Sequence, residues 1–296
     1  MMKRSWFIPL LLVFLAACTS EQEKSPEATN QPKRTDTVQD QLDAIEEQYA
    51  PAYPKDSIHD RMALFLAGLP QEDSSVFAQW ETTDWWQEHA QQMDELWTQA
   101  EEVRLSKLRE WEAKELSNYL NDTLPLFYPF SGPDFLHAHY FFPEAKSYHM
   151  IAIEPVITFD LKAMNEAQIQ EYLRSLRSSL RDVLGKSYFI TTHMMEDLKE
   201  QKVKGVLPLF YVFLARTGHE ILDVETARLD SSGIMVYDDA SYHGLSILCM
   251  RDDTDSPVLV EYMDLNLVDH ELNRKPFDTW VNGIGAKNGF VKAASY

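Results

Sequence analysis

Residues 124–155, LPLFYPFSGPDFLHAHYFFPEAKSYHMIAIEP, restrict the fold more than any other stretch of this chain. Residues 124–130 are a continuous apolar and aromatic run that stops at Ser131-Gly132-Pro133, the pattern of a buried strand ending in a tight turn. Residues 134–142 read as a helix, because Pro133 suits a first helical turn and Pro143 ends the continuation. A second apolar run, 148–153, closes at Glu154-Pro155. A strand, a glycine turn, a helix and a strand within about thirty residues must cross over into a parallel pair.

That unit opens a Rossmann-like sheet, so the expected class is α/β. In such folds the first turn approaches a ligand and an acid at the end of the second strand hydrogen-bonds a ribose. Gly132 and Glu154 would occupy those two places, 22 residues apart, against a usual spacing of about 20. Only one glycine stands in the turn and G-x-G-x-x-G is absent, so no resident cofactor is expected. Ser131 lies where a nucleophile elbow puts its serine, but Phe130 and Gly132 are the wrong flanks, and steric filling of the turn is the better reading.

The remaining pattern predicts a helical N-terminal segment, 42–121, before an α/β domain, 122–296. Residues 58–69 read as a short helix ended by Gly68 and Pro70. Residues 82–119 read as a long amphipathic helix with Thr83 as its cap, whose Trp85, Trp86, Trp97 and Trp111 are expected to pack in the core. Residues 165–184 carry Ile169, Tyr172, Leu173, Leu176, Leu180 and Leu184 on one face, leaving Arg174, Arg177 and Arg181 for a solvated face. Residues 207–215 suit a buried helix capped by Gly218. Residues 244–250 and 258–267 form an antiparallel hairpin around DDTDSP, and a proline-initiated helix, 276–284, precedes a final strand.

The start of the chain addresses location. Lys3 and Arg4 precede an apolar run, 6–17, too short for the about 20 residues that span a bilayer. It matches the apolar region of a secretory signal. Leu15-Ala16-Ala17-Cys18 resembles the lipobox of bacterial lipoproteins, which implies cleavage of residues 1–17 and acylation of Cys18, a membrane partner through lipid. Residues 18–41 hold almost no apolar side chains and are expected to be a solvated tether. Thr19 follows the cysteine in place of an inner-membrane retention aspartate, so the outer membrane, on its periplasmic face or at the surface, is the expected location.

Without Lys3 and Arg4 the 27 basic side chains fall to 25 against 47 acidic ones, a formal charge of −22. Phosphate backbones are held by clustered Lys and Arg, so a nucleic-acid partner is excluded on this reading. Cys18 is committed to lipid, which leaves Cys249, in an apolar stretch, as a buried thiol without a disulfide. His137 and His139 point to nearly opposite sides of a helix and are not expected to share a metal; only as a strand would they face one ion, with Asp134 or His149 as a third ligand. H-E-x-x-H, G-x-S-x-G and C-x-x-C are all absent.

YPFSGPDF (128–135), IEPV (153–156) and LPLFYVFLARTG (207–218) resemble an uncharacterised family of bacterial proteins that carry YPFSGPDFL and LEPVG. The resemblance spans roughly residues 120–296 and implies no activity and no catalytic residues. Family members continue past the segment that here reads GFVKAASY, so a C-terminally truncated domain is a further expectation. Two functions remain open: a non-enzymatic envelope module that binds a partner or ligand, or an enzyme at the carboxyl ends of the strands. The enzyme would use Ser131, Gly132, Asp134, Glu154, Arg216 and His219, with Glu154 and His219 as acid and base.

Overall fold

The βαβ segment folds as its pattern requires. β1 (Leu126–Pro129), α5 (Phe135–Phe141) and β2 (Ser147–Ala152) follow one another, and β1 pairs with β2 in parallel with Leu126 opposite Tyr148. The computed structural model describes residues 57–71, 75–117, 123–186, 203, 205–237, 242–252, 256–268 and 275–292. The expected leader, Cys18 and the tether lie outside them.

Before β1 come α1 (Ile58–Ala67), α2 (Ala78–Glu81), α3 (Asp84–Ala100) and α4 (Ser106–Trp111). The single helix expected over 82–119 is interrupted: π-helical turns occupy Glu101–Leu105 and Glu112–Leu116. After β2 come α6 (Glu166–Lys186), α7 (Leu207–Arg216), β3 (His219–Leu229), β4 (Met235–Tyr237), β5 (Gly244–Arg251), β6 (Pro257–Asp264), α8 (Lys275–Gly283) and β7 (Asn288–Gly289). The final strand is thus two residues long, while β3 and β4 are elements the sequence pattern did not announce.

The seven strands among the described residues form one mixed sheet in the order β4-β3-β5-β6-β2-β1-β7. β6, β2, β1 and β7 run parallel, and β5 pairs antiparallel with both β6 and β3, the expected hairpin included. Alternation along the strands sorts side chains onto two faces. Leu126, Tyr128, Tyr148, Met150, Val260 and Tyr262 join the larger core with residues of α1, α3, α5, α6 and α7. Ile151, Leu259 and Met263 join a smaller core with Trp280 of α8 and Ile284 just after it. The N-terminal helices therefore share one core with the sheet. α7 is buried from Leu207 through Leu214, apolar on every side because it packs against both α1 and β3.

α1 is fastened at both ends. Ser57 caps it, accepting the Asp60 N–H through Oγ at 3.0 Å. At a register shift between Ile221 and Asp223, the Ile221 N–H donates to Asp60 Oδ1 at 2.9 Å and its carbonyl accepts from Ser57 Oγ. At the other end Gly68 takes φ 67°, and a Cβ there would stand 2.8 Å from the Ala90 Cα, so glycine lets α1 close onto α3.

Of the expected tryptophan core Trp86 is buried, at 3% exposure, and Trp85 and Trp97 pack, partly buried, against the same core. Trp85 donates from Nε1 to Glu166, Trp97 lies under the Arg216 guanidinium, and Trp111 is half exposed against Phe141. Arg177 also departs from the expected solvated face: its Nη1 donates to Nδ1 of the buried His89 at 2.6 Å.

Candidate functional site: the carboxyl edge of the sheet

The connection leaving β2 runs into α6 and α7 on the larger-core face, whereas the connection leaving β6 runs into α8 on the other. Adjacent parallel strands whose chains exit to opposite faces open a crevice at their carboxyl ends. Here that point lies between Ala152 and Asp264, which are register partners.

Glu154, two residues past Ala152, is 3% exposed. Tyr262 donates to the Glu154 carbonyl at 2.9 Å and lies 3.4 Å from Oε2. Burial raises the Glu154 carboxyl above the usual range, and the Asp264 charge adds to the rise. Asp264 is likewise raised by burial, while His243 beside it works the other way. On the α8 side of this edge lies a cleft of about 280 Å³, walled by Leu229, Met263, Leu265, Leu267 and Phe277 with His243 at its polar side.

At the end of β1 the turn is tightly determined. The Ser131 N–H and Oγ both donate to the Ile151 carbonyl, at 2.9 and 3.3 Å. Ser131 is buried, and the residue at the strained apex is Phe130, with φ 59° and 63% exposure. A serine nucleophile is therefore not displayed here. Gly132 follows, also at φ 59°. Asp134 at the start of α5 is buried and saturated. It accepts from Tyr128 Oη at 3.0 Å, Lys292 Nζ at 2.8 Å and His137 Nδ1 at 2.7 Å. Burial alone would raise its carboxyl, but His137 and Lys292 outweigh that and hold it below the usual range. Asp134 thus positions the turn.

Two expected members of the site lie elsewhere. His219 begins β3 opposite Arg251, at the amino ends of the parallel strands. Its Nδ1 lies 3.0 Å from Thr217 Oγ1, and its ring packs edge-on to Phe135 and His139. The strands between it and Glu154 separate the proposed base from the proposed acid. Arg216 closes the C-terminus of α1, donating from Nε and Nη2 to the Ala67 carbonyl and from Nη1 to Asp94. Sequence proximity to the end of α7 concealed that α7 runs toward the amino edge.

One constellation escaped the sequence reading altogether. Ser147 and His149, two apart on β2, share a face, and β6 sets Glu261 directly beside His149. His149 Nδ1 lies 2.6 Å from Glu261 Oε2, and Ser147 Oγ lies 2.9 Å from His149 Nε2. The order is that of nucleophile, base and orienter. Ser147 and His149 are 0% exposed and Glu261 1%, so no acyl group reaches the hydroxyl. Regular strand backbone provides no elbow either. The chain of bonds serves as a polar clasp between β2 and β6, with Trp280 edge-on to the imidazole.

His137 and His139 lie on α5 as expected, one turned to Asp134 and the other against Phe135 and His219. Among the described residues, no three His, Cys, Asp or Glu side chains group to hold a metal ion. Cys249 is buried, and burial pushes its thiol well above the ordinary range. Among the same residues, no helix is long and apolar enough to cross a membrane. No protein-family model, curated protein or solved structure matches the chain.

Proposed function

We propose that the chain is a lipid-anchored module of the bacterial envelope, held by Cys18, that binds a small ligand at the carboxyl edge of its sheet without converting it. The observation that carries this reading is the opposite exit of the chain after β2 and after β6, with the cleft under α8 beside it. Ligand sites are mostly apolar concavities with a few fixed polar groups, and at about 280 Å³ this one suits a small molecule. A binding role is favoured over catalysis by the distance between the two groups that acid–base chemistry needs: Glu154 and His219 belong to opposite edges. The N-terminal sequence supports the anchor, and 25 basic against 47 acidic side chains disfavour nucleic acid.

The test is thermal melting of the lipidated chain in detergent with adenine nucleotides, S-adenosylmethionine, divalent metals and cell-wall sugars in turn. A ligand at 100 times its Kd adds about 2.7 kcal/mol, which moves the melt of a domain this size by roughly 5–10 °C. A cooperative melt that none of them moves counts against the reading. A Cys18→Ser chain that still partitions with membranes removes the anchor.

A further inference from the structure

We propose that the outer edge of β1 is a peptide groove that reads an extended aromatic-x-lysine segment, filled in cis by residues 288–292 and in trans by the same residues of a second copy of this chain. The inference does not rest on a ligand in the cleft under α8. β7 joins β1 in parallel through two register pairs, Leu126 with Asn288 and Phe127 with Gly289. Its main-chain bonds run from the Asn288 N–H to the Pro125 carbonyl at 2.8 Å and from the Phe290 N–H to the Phe127 carbonyl at 3.0 Å. So short a strand is held more by its side chains than by its ladder. The Phe290 ring stands 4.7 Å from that of Tyr128, 5.3 Å from that of Phe141 and 5.7 Å from that of Phe142. Two residues on, Lys292 Nζ donates to Asp134 Oδ2 at 2.8 Å and lies 3.3 Å from His137 Nδ1. Between them Val291 is 62% exposed.

That is the geometry of strand addition: main-chain bonds to a sheet edge supply affinity, and pockets for alternate side chains supply selectivity. An aromatic box takes the ring, and the buried Asp134 carboxylate beyond it takes the ammonium. Among the described residues β7 is the one strand outside β1, so the segment covers what is otherwise a bare sheet edge. Its attachment leaves room for exchange. Residues 284–287 lead from α8 to β7, a reach of about 13 Å when extended. Gly283 and Gly285 face open space where a Cβ would stand, and Gly285 takes φ 75°, so little packing fixes the direction of this link. A second copy carries the same ring and ammonium at the same spacing. Each copy can therefore seat its segment on the other's β1 with the contacts already present in one chain, the closed two-fold exchange of an identical element.

Phe290→Ala together with Lys292→Ala in the full chain empties the groove. A fluorescein-labelled peptide copying residues 286–292 is expected to bind that chain at least about tenfold more tightly than wild type, where the tethered segment competes at an effective concentration in the millimolar range. Peptides carrying Phe290→Ala or Lys292→Ala are expected to lose that binding. An emptied chain that melts cooperatively and ignores the unaltered peptide overturns the groove, as does one that binds all three peptides alike. Should the emptied chain not fold, hydrogen exchange on wild type decides. Amides of Asn288 and Phe290 that exchange together and ahead of those of Tyr148 and Met150 support a segment that lifts off by itself, whereas exchange through global unfolding alone overturns it. The second copy is tested on wild type carrying two different tags. Copies incubated together are expected to co-purify, and millimolar peptide is expected to prevent it. Copies that never co-purify, or that do so regardless of peptide, overturn the second copy as occupant.

Discussion

His89 ties stability to pH with a sign and a size. It is fully buried where α1, α3 and α6 meet. Nε2 lies 3.0 Å from the Leu66 carbonyl and Nδ1 2.6 Å from Arg177 Nη1, so Nε2 carries the proton and Nδ1 accepts from the guanidinium. Burial, reinforced by the Arg177 charge, lowers the imidazole from 6.5 to about 3. A base depressed on folding contributes stability that is complete above its unfolded value and is lost as pH falls from 6.5 toward 3. The full span corresponds to about 5 kcal/mol, of which about 2.7 kcal/mol is gone by pH 4.5. Glu154, Asp264 and Glu81, all raised by burial, act in the opposite direction on acidification, so the wild-type curve alone mixes signs. Urea unfolding of wild type and His89→Gln from pH 8 to pH 4.5 isolates the imidazole. Gln removes the titration, costs about 1–3 kcal/mol at pH 8, and the difference between the two chains moves by about 2.7 kcal/mol in favour of Gln on reaching pH 4.5, closing or reversing the gap. A gap that stays constant over that range refutes the neutral, doubly bonded His89.

Three other expectations concern the interior. His149→Leu leaves the buried Glu261 carboxyl without its partner and costs about 3–5 kcal/mol in chemical denaturation, whereas His149→Leu with Glu261→Met recovers most of the loss; a single variant within 1 kcal/mol of wild type sinks the clasp. Asp60→Ala removes the acceptor of the Ile221 N–H and lowers stability by about 1–3 kcal/mol, with faster hydrogen exchange at Ile221 as the local readout. Cys249 resists Ellman's reagent at pH 8 until the chain unfolds, since its thiol is buried and donates to the Val258 carbonyl; rapid labelling of the native chain contradicts that burial.

What the sequence made legible follows the strength of its periodicity. The β1–α5–β2 unit and α6 were readable because apolar residues recur at strand or helix spacing between proline and glycine stops. β3 was not, because HEILDVETARL carries Glu220, Asp223 and Glu225 and shifts register after Ile221, which breaks strict alternation. Glu154 could be assigned to a strand end, since Pro155 fixes that end locally. His219 was misassigned because the direction of β3 depends on its pairing with β5, not on nearby residues. Ser147 and His149 left one clue, two polar residues at alternate positions of an otherwise apolar strand, but Glu261 is 112 residues beyond His149. The positive φ of Phe130 had no signal, because the glycine that advertises such a turn stands two residues later.

The clasp between α1 and β3 has a mechanical meaning. Ser57 and Asp60 grip Ile221 across 164 and 161 residues of chain. During synthesis α1 emerges first but stays unfastened until β3 has been made, so one of the longest loops in the domain closes late and slows folding. Once it has closed, Ser57 and Asp60 hold α1 to a bulge inside the sheet. Pulling on α1 must shear two hydrogen bonds against the sheet before α1 can peel away, which makes α1 a strain-bearing element among the described residues.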